Sequence, residues 1–127
     1  MKNEIFGWSL ILLSVLMGLV MGIRFQNESW LGGYTSLQRR MVRLAHIALA
    51  ALGIVNIEFG RTVQQLTLEG RANGPIRFAG AAFMVAGVSM PACCLVIAGK
   101  ARRFEMFAVP VGALLIALLL TIAGLWR

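Results

Sequence analysis

The residues of this sequence that could hold a metal or a cofactor are sulfur-containing side chains and one histidine. His46 is the only imidazole in the 127-residue chain, and Cys93 and Cys94 are its two cysteines. Thiolate and thioether ligands select Cu(I), and a single imidazole fits among them. The residues Met17, Met21, His46, Cys93 and Cys94 therefore form a candidate metal set.

Haem is the second cofactor that these residue types suggest. One histidine permits at most one imidazole axial ligand, which excludes a bis-histidine cytochrome made by this chain alone. The candidate cofactor-binding residues are then His46 with Met90 or Cys94, or His46 with a ligand from a neighbouring subunit. A histidine within a membrane span is costly enough to count as a functional candidate by default.

A short segment resembles a known class of metal transporter. The pattern Met17-Gly18-Leu19-Val20-Met21, followed by Gly22, resembles the MxxxM and GxxxG features of the Ctr-type copper transporters. This resemblance implies copper handling. The chain departs from that family in having four predicted spans and in placing both features on one helix.

Ordinary packing explains the same residues without a ligand. Methionine fills irregular core gaps and buried cysteine behaves as a small hydrophobe. Adjacent cysteines lie about 100° apart on a helix, so at most one of them faces a given partner. Pro91 and Pro110 each remove a helical hydrogen bond and predict kinks in the third and fourth helices. We therefore favour packing, with no cofactor of the chain's own and with haem or copper as the alternative.

Catalytic constellations are missing from the sequence. With one histidine, no acidic residue inside any apolar stretch and no glycine-rich phosphate loop, there is no Ser/His/Asp set, no paired carboxylates and no closed zinc site. We therefore expect a protein that is not an enzyme.

The elements that position these residues follow from the distribution of charge. The chain is 59% hydrophobic and 13% charged, and its charges leave four gaps, at residues 5–23, 44–57, 78–99 and 106–126. A bilayer core takes roughly 20 apolar residues of helix to cross. The sequence predicts an all-α integral membrane bundle of four transmembrane helices with both termini on the same side. Residues 1–127 form a single membrane domain, with spans at about 5–24, 41–60, 76–99 and 104–126.

The basic residues lie beside the spans and predict an anionic phospholipid partner rather than nucleic acid. Seven Lys and Arg lie on the side that carries the first and third loops, against five on the side of the termini. The positive-inside rule therefore favours loops 25–40 and 100–103 as cytoplasmic. The predicted lipid and interface residues are Trp30, Tyr34, Arg39, Arg40, Arg43, Lys100, Arg102 and Arg103.

Local patterns predict helix ends and contacts between helices. Thr35 with Gln38 has the pattern of a capping box, and Pro75 suits the first turn of the third helix. The connection from residue 61 to residue 73 is polar, Asn56 is expected to bond between helices, and Glu58 is expected to pair with Arg61. Small residues at helical spacing allow close approach of helices. The predicted packing residues are Ser14, Gly18, Gly22, Gly53, Gly80 and Gly87.

These features together favour a small non-catalytic accessory subunit of a larger bacterial inner-membrane complex, in respiratory or photosynthetic electron transfer. Such a subunit packs against cofactor-bearing subunits and lipid. One alternative is a haem- or copper-binding redox or metal-handling protein that uses His46 with Met90 or Cys94. The other is a small homo-oligomeric transporter or channel, built through the glycine stripes.

Overall fold

The structure, a computed structural model, describes residues 2–99 and 103–126, and within them it is all-α. Its four long helices are α1 Lys2–Arg24, α2 Leu37–Leu68, α3 Gly74–Ala98 and α4 Ala108–Leu125. A short 3₁₀ helix, Trp30–Gly32, lies between α1 and α2, and another, Phe104–Phe107, leads into α4. All four segments are long and apolar enough to cross a membrane, which confirms the predicted four-span fold class.

Helix α2 is longer than the span predicted for it. It has 32 residues and continues to Leu68, so the predicted connection from residue 61 is helical in its first part. Leu66 explains the extension, because its side chain is buried in the same core cluster as Ile76 of α3. The expected pair of Glu58 and Arg61 forms on the exposed side at 2.8 Å. Charge marks the end of the apolar span here, but not the end of the helix.

The start of α2 differs by one residue from the predicted start. Ser36 caps the helix, because its hydroxyl oxygen accepts a hydrogen bond from the Arg39 backbone N–H at 3.2 Å. The same hydroxyl donates to the Leu31 carbonyl, which fixes Ser36 against the preceding 3₁₀ turn. The prediction of Thr35 as the cap, with Gln38 reaching back to it, is therefore wrong.

The start of α3 follows the prediction. Asn73 caps the helix, its side-chain oxygen accepts from the Ile76 backbone N–H at 3.2 Å, and Pro75 lies in the first turn. Asn73 also donates from Nδ2 to the Gly124 carbonyl at 3.1 Å. One side chain therefore begins α3 and ties it to the last turn of α4.

The two helical prolines have different positions. Pro91 lies inside α3, as predicted. The predicted kink at Pro110 is wrong, because α4 begins at Ala108 and Pro110 falls in its first turn, where a missing N–H costs nothing. The Met106 carbonyl, just before α4, accepts a hydrogen bond from Cys93 Sγ at 3.4 Å.

The helices pack mainly in chain order, so that α2 and α3 are central and α1 and α4 lie at the outer edges. One core cluster joins α2, α3 and α4, and contains Phe59, Leu66, Ile76, Ala79, Phe83 and Ala117. A second cluster joins α1 to α2, and contains Leu10, Ala48, Leu49 and Leu52. The large apolar side chains outside these clusters are mostly exposed on the surface of the bundle.

Glycine allows α1 and α2 to approach backbone to backbone. A Cβ built on Gly7 would lie 2.5 Å from the Gly53 carbonyl oxygen, and one built on Gly53 would lie 2.8 Å from Ile11 Cγ1. Further along, a Cβ on Gly60 would lie 2.9 Å from the Glu4 backbone nitrogen. Such close approach is how small residues stabilise helix pairs in the absence of a hydrophobic driving force.

A buried polar cluster joins α1, α2 and α3. Asn56 is completely buried, and its Nδ2 donates to the Leu52 carbonyl at 2.9 Å and to the Phe83 carbonyl at 3.3 Å. Asn3 of α1 donates from Nδ2 to Asn56 Oδ1 at 3.0 Å and to the Gly80 carbonyl at 2.8 Å. The interhelical hydrogen bond predicted for Asn56 is confirmed, and the first turn of α1 is fixed near the start of α3.

Candidate functional site

His46 lies on α2 and faces α1. Ser14 Oγ, which is buried, lies 3.2 Å from His46 Nδ1 and donates a hydrogen bond to the His46 carbonyl oxygen at 3.1 Å. One turn further along α1, Gly18 leaves space for the ring, since a Cβ there would lie 2.9 Å from His46 Cε1. A hydroxyl and a glycine on one face of α1 therefore hold the imidazole.

The Ser14 hydroxyl faces two polar atoms of His46, since its oxygen lies 3.1 Å from the backbone carbonyl oxygen and 3.2 Å from Nδ1. A hydroxyl has one proton to donate. In the arrangement in which the carbonyl receives that proton, Nδ1–H donates to Ser14 Oγ and Nε2 carries the free lone pair. Histidines that bind metal through one nitrogen characteristically have the other N–H held by a second group. Ser14 lies where such a group would lie.

The two cysteines lie deep in α3 and face other neighbours. Cys93 bonds to the Met106 carbonyl, just before α4, and its side chain is 6% exposed. Cys94 has no exposed surface at all. Both are free thiols, and each is enclosed by packed helices. This burial matches the role of cysteine as a small hydrophobe.

The methionines of the candidate sets lie among apolar side chains in this structure. Met17 and Met90 pack against the cluster around Leu10, and Met21 is buried. Among residues 2–99 and 103–126 no group of three or more His, Cys, Asp or Glu side chains is close enough to hold a metal ion. The structure thus does not bring His46 together with both cysteines.

Arg39 is a buried cation enclosed by aromatic rings. Its side chain is 2% exposed, and its Cζ lies 4.3 Å from the ring centroid of Phe25, 5.3 Å from that of Tyr34 and 5.7 Å from that of Trp30. Nη2 donates to the Phe25 carbonyl at 3.1 Å, just beyond the end of α1. Ring faces and the negative end of the α1 dipole therefore stabilise the charge. Nε is buried without a partner among the described residues.

This burial corrects the expectation that Arg39 reaches toward lipid, because its side chain instead fixes the first loop to the start of α2. Tyr34 is 61% exposed and lies under Arg43, with Cζ of the arginine 4.8 Å from the ring centroid. The other predicted interface residues are Trp30, which is partly exposed, and Arg40 and Arg103, which are exposed. Lys100 and Arg102 lie outside the described residues.

The predicted packing residues contact neighbouring helices with one exception. A Cβ on Gly80 would lie 2.9 Å from Asn3 Oδ1, and one on Gly87 would lie 2.9 Å from Phe6 Cε1. Among the described residues, and apart from the adjoining backbone of α1, Gly22 has no atom within 4 Å of the corresponding position. Gly22 thus lies on an open face of α1.

An apolar groove of about 560 Å³ runs between α1 and α3. On α3 it is lined by Gly87, Pro91 and Ala92, together with the larger Val88 and Leu95. The residues that line it on α1 and α2 are Leu10, Leu13, Leu16, Met17, Val20 and Leu49. Its volume falls within the range of small-molecule sites, roughly 300–1,000 Å³.

Comparison with protein-family models, curated proteins and solved structures finds no match to this chain. Sequence reasoning missed both the enclosed Arg39 and the groove. The signal for Arg39 was an aromatic loop directly before a helix with an arginine in its first turn. The groove could have been predicted from the spacing of Gly87, Pro91 and Ala92, which places small side chains on one face of α3.

Proposed function

We propose that this protein is a small non-catalytic accessory subunit of a larger bacterial inner-membrane complex that carries out respiratory or photosynthetic electron transfer. The observation that carries the proposal is the uncovered face of α4. This helix packs chiefly against α3. In the most apolar stretch of the Phe104–Leu125 segment, only 11% is buried.

The exposed face of α4 has the character of a helix-docking surface. Ala108 and Gly112 lie one turn apart, and in the part of the chain that the structure describes no atom beyond the adjoining backbone of α4 lies within 4 Å of the Cβ position of Gly112. Leu119, two turns beyond Gly112 on the same face, is 65% exposed. Small residues one turn apart, followed by a large aliphatic side chain, suit close packing of a second transmembrane helix.

The use of the buried polar side chains supports a structural role. Ser14 holds His46, and Asn3 with Asn56 joins three helices, so these groups bond to one another and to backbone carbonyls. Polar groups in the membrane are costly unless they are satisfied, and here helix packing satisfies them.

The test is purification of the tagged chain from its own membranes in a gentle detergent, followed by native mass spectrometry. We expect a complex of fixed stoichiometry that contains a different subunit and absorbs visible light through a cofactor. Gly112→Leu should abolish the complex, while Gly22→Leu, at an open glycine on α1, should leave it intact. A lone monomer would overturn the proposal, a closed homo-oligomer would favour a transporter or channel, and a colourless complex would overturn the assignment to electron transfer.

A photoreactive residue at Leu119 locates the contact in intact membranes. It should give one crosslinked product that contains the copurifying subunit. The same residue at Ala117, which is completely buried, should crosslink only within the chain. Products of many different masses from Leu119 would indicate random encounters in the bilayer and would contradict a fixed interface.

The geometry of His46 favours one second candidate, a haem or copper site shared with a neighbouring subunit. The supporting observation is the position of Ser14 Oγ, 3.2 Å from His46 Nδ1, where an Nδ1–H donated to the hydroxyl would leave the Nε2 lone pair available to a ligand. Metal analysis and a visible spectrum of the purified complex test this role, with His46→Ala expected to remove the signal and Cys94→Ala to retain it. The absence of iron, copper and a Soret band would exclude this candidate.

A further inference from the structure

We propose that the groove between α1 and α3 binds one acyl chain of an anionic phospholipid, with the phosphate at Arg24. This inference goes beyond the accessory role, because it concerns a different face of the molecule from the α4 surface. It rests on the length of the groove, on how the groove is closed at one end, and on the charge at the other end.

The groove has the length of one leaflet. On α1 it extends from Leu10 to Val20, and at about 1.5 Å per residue this is roughly 15 Å. The hydrocarbon core is about 30 Å thick, so one leaflet supplies about half of that depth. A partner helix crosses the whole membrane, whereas a single acyl chain occupies half of it. The length therefore favours a lipid tail.

The inner end of the groove is closed by side chains. Phe6 and Leu10 both pack over Gly87, where a Cβ would lie 2.9 Å from Phe6 Cε1 and 3.0 Å from Leu10 Cδ1. Because the ring of Phe6 occupies the next turn of α1, it separates this groove from the surface nearer the N-terminus of α1. An occupant that enters from the loop end thus stops near the middle of the bilayer.

The outer end of the groove has a cation in line with it. The wall residues Leu10, Leu13, Met17 and Val20 alternate by three and four positions along α1, and Arg24 is the next residue of that series. Arg24 lies one turn, about 6 Å, beyond Val20, which is the level of the head groups. It is exposed, and its side chain has no ion pair among the described residues. A phosphate at this level would pair with it.

The groove itself requires an apolar occupant. Its lining has no charged side chain, and its large members are Leu, Met and Val. A free phosphate or a polar metabolite would gain nothing there, because polar groups lose hydration without finding partners. A molecule with an apolar tail and an anionic head satisfies both parts of the site, and the bilayer supplies it in excess.

The experiment counts bound lipids on the purified, delipidated full-length chain by native mass spectrometry. Dioleoylphosphatidylglycerol is titrated against dioleoylphosphatidylcholine, which has the same tails without net charge. One phosphatidylglycerol should bind about fivefold more tightly than phosphatidylcholine, the effect expected of one arginine near an anionic surface. Arg24→Gln should remove this preference, and Arg77→Gln, at an exposed arginine near the start of α3, should leave it unchanged.

Filling the groove tests the tail. Ala92→Leu should weaken binding of both lipids by at least about fivefold, because an added side chain occupies the acyl-chain volume. Ala123→Leu, at an exposed position of α4, should not change it, and circular dichroism checks that both variants remain helical. Equal binding of the two lipids to the unmodified chain, or normal binding to Ala92→Leu, would overturn the proposal. Loss of a protein partner from Ala92→Leu without loss of lipid would identify the groove as a helix-docking surface instead. Because the readout is lipid mass, its failure is distinct from failure of the accessory role.

Discussion

The hydrogen bond between Asn3 and Asn56 gives the sharpest test of how this bundle is held together. Asn56→Ala removes two interhelical hydrogen bonds, one accepted from Asn3 at 3.0 Å and one donated to the Phe83 carbonyl at 3.3 Å. Interhelical hydrogen bonds in membranes average about 0.6 kcal/mol and reach about 1.7 kcal/mol. We therefore expect Asn56→Ala to lower the free energy of unfolding by about 1–3 kcal/mol.

A double-mutant cycle separates the pair from the rest of the cluster. Asn3→Ala loses its bonds to Asn56 Oδ1 and to the Gly80 carbonyl, and the double variant loses the Asn3–Asn56 bond only once. Because Asn56 is completely buried, the coupling energy should lie toward the upper part of the range, at about 1–1.7 kcal/mol.

The assay is reversible unfolding in mixed micelles of increasing dodecyl sulfate fraction, followed by tryptophan fluorescence. Asn3→Ala combined with Ser89→Ala is the control pair, since Ser89 bonds within α3 to the Val85 carbonyl and should be additive with Asn3. A coupling energy for Asn3 and Asn56 below about 0.3 kcal/mol, equal to the error of additivity, would refute the packing described for α1.

Two further predictions concern close approach and the enclosed arginine. Gly53→Ala should destabilise the protein by at least about 2 kcal/mol in the same unfolding assay, because its Cβ would meet the Gly7 carbonyl oxygen at 2.9 Å, while Gly22→Ala should be neutral or stabilising. Equal effects of the two would contradict the α1–α2 contact. Arg39→Gln should cost about 2 kcal/mol and speed proteolysis of loop 25–36, because the cation–π contacts and the bond to the α1 end are lost. Arg40→Gln, at an exposed position, should change neither the free energy of unfolding nor the rate of proteolysis. An equal loss of stability in Arg39→Gln and Arg40→Gln would show that the loss of one positive charge, and not of the contacts of Arg39, is responsible.

The sequence by itself determined the number of apolar helices long enough to span a membrane and several local contacts. Gaps between charged residues located four helices, because burying a charge in hydrocarbon is costly wherever the helix faces. Pro75 located the start of α3, because a proline suits the first helical turn, where its missing N–H has no helical acceptor. The capping rule fitted both Thr35 and Ser36, which are adjacent hydroxyl residues before α2, and the prediction of Thr35 as the cap was wrong.

Only the tertiary structure decided which way each helix faces. In a soluble helix the polar side identifies the surface, but a membrane helix is apolar all round, so its periodicity does not show which side is buried. Packing turned the imidazole of His46 toward Ser14 on α1 and buried the Cys94 thiol within α3. The orientation of the helices about their axes also encloses Arg39 in the aromatic loop and forms the groove beside Pro91. The sequence did not show these two features because both depend on contacts between residues far apart in the chain.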